Sequence, residues 1–291
     1  MQSVIVRMLA KYKHRYKPNM RKIIILLLSV LALSVPSIAQ CPEPMENKAF
    51  KSGESLVYDL YYNWKFIWVK AGSATMTTYS TRYAGQQAFR TNLITRGNSR
   101  ADKFWVMRDT LMSYVTENMV PLYFRKGARE GERYTVDEVS YSYPQNGTVR
   151  LAQSYRNRHG EVKKTTRSSK APVYDMISML NRARSFDASN YRKGTKIKFL
   201  MADGDEVETQ TIIYRGKEKF KSNSGVTYRC LVLSFVEYED GDEKEIITFY
   251  VTDDKNHLPV RLDLNLKFGS AKAFLCTVRG NRHPLTSIVK K

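Results

Sequence analysis

Four short turn signals constrain this chain more than any other feature. Asn146-Gly147, Asp203-Gly204, Asp240-Gly241 and Gly269-Ser270 each separate two runs in which apolar and polar residues alternate. Such dipeptides accept positive φ, the backbone hand that lets a tight turn match the twist of two paired strands. They predict hairpins joining Arg133–Tyr143 to Val149–Tyr155, Lys196–Met201 to Val207–Tyr214, Thr227–Tyr238 to Glu245–Val251, and Leu258–Phe268 to Ala271–Val278. Upstream, Leu56–Tyr62, Trp64–Thr78, Ala88–Thr95, Phe104–Thr116 and Pro121–Lys126 carry the same Val, Ile, Thr, Tyr and Phe enrichment. Gly72 interrupts the second of these, which predicts a bulge or bend.

One segment follows the helical period instead. Over Pro172–Phe186, Val173, Met176, Ile177, Leu180 and Ala183 share a face, with Ser169 placed to cap the start and Pro172 suited to the first turn. Arg156–Lys170 is polar and basic and reads as a linker or long loop, so a division into two lobes near 156–171 stays open. The expected class is all-β with one helix, a single domain over 50–280. Its large antiparallel sheet would curl into an open or closed barrel around the helix, because closure removes exposed strand edges.

The region before the strands reads as an address. Met20–Gln40, MRKIIILLLSVLALSVPSIAQ, has a basic start, an apolar stretch too short for a comfortable span, and Ser37-Ile38-Ala39 before a cut after Ala39. Residues 1–19 form an upstream extension, with Met20 a plausible start. The expected location is therefore the periplasm or the outer membrane. A membrane anchor and a lipid on Cys41 are the competing readings, the second disfavoured because Gln40 rather than a small residue precedes the cysteine. Cys230 and Cys276 sit in separate strand-like runs, and either a disulfide or two thiols fits them.

Charge follows the same division. The whole chain carries a formal +20, but seven basic residues precede Gln40 with no acid among them. Between Arg150 and Lys198, thirteen Lys and Arg face only Glu161, Asp175 and Asp187. This basic stretch, holding Arg156, Arg158, Arg182 and Arg184, suits phosphate, lipid headgroups or acidic glycan. Nucleic acid is not an expected partner of an exported chain.

Catalytic signatures are missing. The sequence has no phosphate-binding glycine loop, no GxSxG and no HExxH. His159, His257 and His283 have no second histidine at ligand spacing, so neither metal nor cofactor is expected. The acidic groups at Asp203–Glu208 and Glu237–Glu245 surround Asp-Gly turns and read as solvated. Aromatic residues crowd one region, where strict alternation puts Trp64, Phe66 and Trp68 on one strand face. With Trp105, these are candidate contacts for an apolar ligand or a sugar ring, or else a strand packed on both faces in the core. A rival chemistry, lyase action on anionic polysaccharide, would use Tyr155 or His159 to move a proton beside Arg156 and Arg158.

Several stretches together resemble a known family: FKSGESLVYDLYYNWKFIWVKAG (Phe50–Gly72), Asp102–Lys126, YDMISMLNRAR (Tyr174–Arg184) and VTDDKNHLPVRLDL (Val251–Leu264). In this order they are similar to domain-of-unknown-function family 3108, exported bacterial envelope proteins. The resemblance implies export and a β-rich fold and brings no catalytic residues. Asp253–Pro259 with the strand after it is also similar to periplasmic lipoprotein carriers of the LolA/LolB and RseB type. That likeness implies an open barrel half-wrapped on a helix, with an apolar interior for acyl chains. The expected function is an exported, non-catalytic envelope protein binding an amphiphilic, lipid or glycan ligand and associating with the outer membrane. Polysaccharide lyase action is the alternative, and the oligomeric state is left open.

Overall fold

The computed structural model describes residues 41–64, 67–103, 106–266 and 269–289, with the backbone alone of Trp64. The leader, its upstream extension, Phe66 and Trp105 lie outside the described residues. Among the described residues fifteen strands follow one another: β1 (Glu54–Trp64), β2 (Ile67–Tyr83), β3 (Gln86–Gly97), β4 (Met107–Thr116), β5 (Pro121–Glu130), β6 (Arg133–Ser142), β7 (Val149–Arg156) and β8 (Val162–Ser169). After them come β9 (Val173–Tyr174), helix α1 (Met176–Ala183), β10 (Lys196–Asp203), β11 (Glu206–Lys221), β12 (Thr227–Glu239), β13 (Asp242–Thr252), β14 (Pro259–Asn265) and β15 (Ser270–Arg279).

They form one sheet in the order β8 down to β1, then β15 down to β9. The sheet curls into a nearly closed barrel. Its two ends meet through side chains: Gln153 Nε2 of β7 donates to the carbonyls of Gly204 (3.1 Å) and Glu206 (3.0 Å), and Arg167 of β8 donates to that of Asp205.

Alternation explains the wall. On β2, Gly72, Ala74, Met76 and Thr78 are buried, with less buried residues between them. Leu111, Phe124, Val139 and Leu151 line one side of the interior and meet Ile177 of α1. Leu56, Tyr58, Met76, Phe220 and Leu258 line the other, with Leu180 against them. Burying such side chains contributes about 1.5–3 kcal/mol each. Gly72 marks the expected irregularity. Pairing of β1 with β2 slips between Leu60 and Tyr61, and a Cβ on Gly72 would stand 2.2 Å from the Arg96 carbonyl.

Two elements differ from expectation. Val173 and Tyr174 pair in parallel with Leu200 and Met201, so α1 begins only at Met176 and Asp175 is its cap. Asp175 Oδ1 accepts from Ile177 N (3.0 Å) and Ser178 N (2.8 Å), while the Ser169 hydroxyl bonds to Ala171 instead. Met176 is exposed, whereas Ser178, Asn181 and Arg182 are buried, because the barrel wall surrounds most of the helix. The expected linker at 156–170 contains β8, an edge strand largely open to solvent on both faces, which therefore lacks an apolar alternation.

The turns follow their chemistry. Asp240 (φ 52°) and Gly241 (φ 90°) form a two-residue reversal between Glu239 and Asp242. Gly204-Asp205 does the same between Asp203 and Glu206, one residue later than expected. The Asn146-Gly147 hairpin has a longer loop, in which Asn146 Oδ1 accepts from the Thr148 amide and hydroxyl.

Candidate functional site

Neighbouring strands of the main wall run antiparallel, so the β1–β2, β3–β4, β5–β6, β7–β8, β10–β11, β12–β13 and β14–β15 connections share one end of the barrel, the mouth. Helix α1 closes the interior toward the opposite end, where Arg184 reaches Glu54 at the start of β1.

Between helix and mouth the inward side chains form layers. Leu111, Phe124, Val139 and Leu151 make an apolar layer. Two residues further along the same strand faces come Asp109, Lys126, Asp137 and Gln153. Burial and then the neighbouring Glu130 push the Asp109 carboxyl up to about 6, and its Oδ1 has no hydrogen-bond partner. The Asp137 carboxyl is raised too, chiefly by burial, with Lys126 opposing and Asp203 and Asp205 adding to the rise.

Above this layer opens a groove of about 360 Å³ lined by Glu130, Arg133, Thr135, Tyr155, Arg158 and His159, with Ala128 and Asn157 completing it. The β5–β6 turn supplies one rim and the β7–β8 turn the other. Asn157 builds the second rim. Its Oδ1 accepts from His159 N (2.9 Å) and Glu161 N (3.1 Å), and its Nδ2 donates to Glu161 Oε2 (2.6 Å). Gly160, at φ 85°, supplies the left-handed residue the turn requires. The side chains of Arg158 and His159 are thereby held beside Tyr155, and Arg158 Nε donates to His159 Nε2 (2.9 Å).

A second cavity, between Cys41, Pro121, Tyr143 and Tyr174, measures about 10 Å³, about enough for one water.

Of the eight residues singled out from the sequence, Phe66 and Trp105 lie outside the described residues, and the others separate widely. Arg158 lines the groove, and Arg156 ends β7 beside it. Arg182 and Arg184 do not join an outer basic face. Arg182 is buried, donating to the Glu43 carbonyl (2.8 Å) and stacking on Tyr174, and Arg184 is buried against Glu54. The alternation argument for Trp64, Phe66 and Trp68 is corrected by register. Trp64 ends β1 opposite Ile67, and Trp68 lies on β2 opposite Asn63, so the tryptophans belong to two strands. Trp68 is neither core nor interior lining; it is exposed.

Part of the basic stretch meets the acidic hairpin. Lys163 pairs with Asp205, and Arg167 donates to the Asp205 carbonyl, so the basic stretch and the acidic turn meet across the barrel seam. Arg133, Thr135 and Glu130 were not anticipated as groove residues; for Arg133 and Thr135 the odd-numbered inward face of β6, continuous with Val139 and Tyr141, was the available signal. The cysteines are all free. Cys230 on β12 and Cys276 on β15 are separated by two strands, and Cys41 is buried in the core.

A family model described as "Protein of unknown function (DUF3108)" matches residues 57–275. No curated protein matches the chain. Among solved structures, it is similar to the crystal structure of a beta-barrel-like protein of domain of unknown function DUF1849 from Brucella abortus. The TM-score is 0.51 and the identity 11%, covering 79% of this chain and 98% of the other. At that identity the likeness shows the fold alone.

Proposed function

Because the chain belongs to the DUF3108 family, whose description names no activity, we propose a function from its geometry: an exported, non-catalytic envelope protein that holds an anionic glycan at the barrel mouth. One observation carries this reading. Arg133 and Arg158 approach the same groove from two different turns, with the Tyr155 ring as a wall. Its volume falls within the range of small-molecule sites, whereas the interior beside α1 is filled by Ile177, Phe124, Val139 and Leu151. Those apolar side chains pack against one another, and the groove's own lining is polar and charged, so a carboxylated or phosphorylated sugar suits the groove better than a lipid tail. Guanidinium groups present paired donors to such anions, and an aromatic ring offers a face to the sugar.

Calorimetric titration with oligogalacturonate tests the reading. Binding should weaken as salt rises, and Arg133→Ala and Arg158→Ala should each weaken it roughly tenfold through a lost charge-assisted hydrogen bond. No heat of binding with oligogalacturonate or with lipopolysaccharide would remove the proposal.

Lyase action is the second reading, favoured by Tyr155 and His159 lining the same groove as Arg158. Against it, the Nε2 lone pair of His159 accepts from Arg158 and is occupied as a base. Release of unsaturated uronate products, followed by absorbance, separates a lyase from a binder.

A further inference from the structure

We propose that the paired β1–β2 and β14–β15 hairpin tips dock the protein on an anionic lipid bilayer, a surface distinct from the groove. On β2 the first four residues, Ile67 to Lys70, are all exposed, and burial begins only beyond Ala71. At roughly 3.3 Å per residue these four residues span about 13 Å, on a hairpin whose other strand stays paired with β15 through Tyr62 and Ala271. A projecting hairpin normally carries polar residues, but this one exposes Ile67 (65%), Trp68 (38%) and Val69 (45%). The adjoining hairpin adds Leu266, 45% exposed. The two tips touch, since a Cβ on Gly269 would lie 3.0 Å from the Asn63 carbonyl.

Charge complementarity selects the occupant. Residues 61–72 contain two lysines and no acid, and residues 264–273 likewise contain two lysines and no acid. Lys272 Nζ lies 4.4 Å from the centre of the Trp68 ring, a cation held over an indole face. Lys70 is steadied by Asp59 at 2.7 Å. Aliphatic side chains flanked by tryptophan and lysine match the boundary between acyl chains and headgroups: the apolar atoms enter, and the ammonium groups remain with lipid phosphates. The acidic β12–β13 hairpin, next around the mouth with Glu239, Asp240 and Asp242, marks where this footprint ends.

The test is co-sedimentation of the purified protein with phosphatidylcholine vesicles, with and without phosphatidylglycerol. The protein should bind the mixed vesicles and bind the neutral ones much less. Ile67→Ser and Trp68→Ser should each weaken binding roughly tenfold through lost apolar burial, and Lys272→Glu by roughly fivefold or more. Ile67 and Trp68 are exposed, so their variants should keep the parent's melting temperature. They should also keep the groove's response to oligogalacturonate, while Arg133→Ala should keep vesicle binding; failure of one surface thus leaves the other readable. Equal sedimentation of parent and tip variants overturns the proposal. So does a parent dimer that Ile67→Ser converts to a monomer, which would make the tip a self-contact.

Discussion

Arg184 and Glu54, 130 positions apart, form a two-pronged ion pair inside the barrel. The guanidinium donates to the two carboxylate oxygens at 2.6 and 2.9 Å, and the side chains are 1% and 2% exposed. Arg184 also donates to the Asn256 carbonyl and lies over the Phe50 ring. The pair thereby ties the end of α1 to β1, to the β13–β14 connection and to the N-terminal segment. Removing one partner of a buried pair strands the other without solvent. Arg184→Ala should therefore cost about 3–5 kcal/mol in urea unfolding. The double variant Glu54→Gln with Arg184→Met should cost less than the single one, because it leaves no lone charge.

Asp175 predicts an unusual pH response. Burial raises its carboxyl to about 6, only partly offset by hydrogen bonds from Ser178, Ser113 and Ile177. The unfolded chain titrates this group near 3.8, so between those values the native state binds more protons than the unfolded state. Its contribution is complete below about pH 4 and is lost as pH rises through about 6. Asp175→Asn keeps an N-cap oxygen for Ile177 and Ser178 while removing the charge. The expected result at pH 7 is an equal or greater stability than the parent, by up to roughly 3 kcal/mol. The slope of stability against pH between 4 and 6 should become less negative. Unfolding midpoints measured across that range check both; an unchanged slope would contradict the burial argument.

Much of this architecture is legible from local chemistry. Two-residue periods and Gly-containing turn signals placed the β6–β7, β10–β11, β12–β13 and β14–β15 hairpins, and the Gly72 irregularity followed from a strand glycine. What escaped depends on partners distant in sequence. Arg182 and Arg184 resemble a solvated basic face until Glu43 and Glu54 are brought to them by the closing sheet. Strand β8, VKKTTRSS, has no core face to impose an alternation, so its sequence resembles a loop. No Gly or Asn stands between Trp64 and Ile67, which pair across β1 and β2, and alternation read straight through put the two tryptophans on one face. The groove was half visible: Tyr155, Arg158 and His159 are close in sequence, but Arg133 joins them only through the pairing of β6 with β7.

The barrel seam yields the last prediction, in which burial rather than charge decides. Lys163 and Asp205 form an ion pair whose lysine is largely exposed, and such pairs contribute about 0–1 kcal/mol. Gln153 is buried and bridges β7 to the carbonyls of Gly204 and Glu206. Removing its amide leaves both carbonyls without that donor, at a cost of about 1–3 kcal/mol. Gln153→Ala should thus destabilise the protein more than Lys163→Ala, and added salt should shift only the parent's small ion-pair contribution. Hydrogen exchange locates the effect. Amides of β8 and of the β10–β11 hairpin should lose protection in Gln153→Ala while β1, β2 and β15 keep theirs. Uniform loss across all strands would mean that the seam opens only with global unfolding.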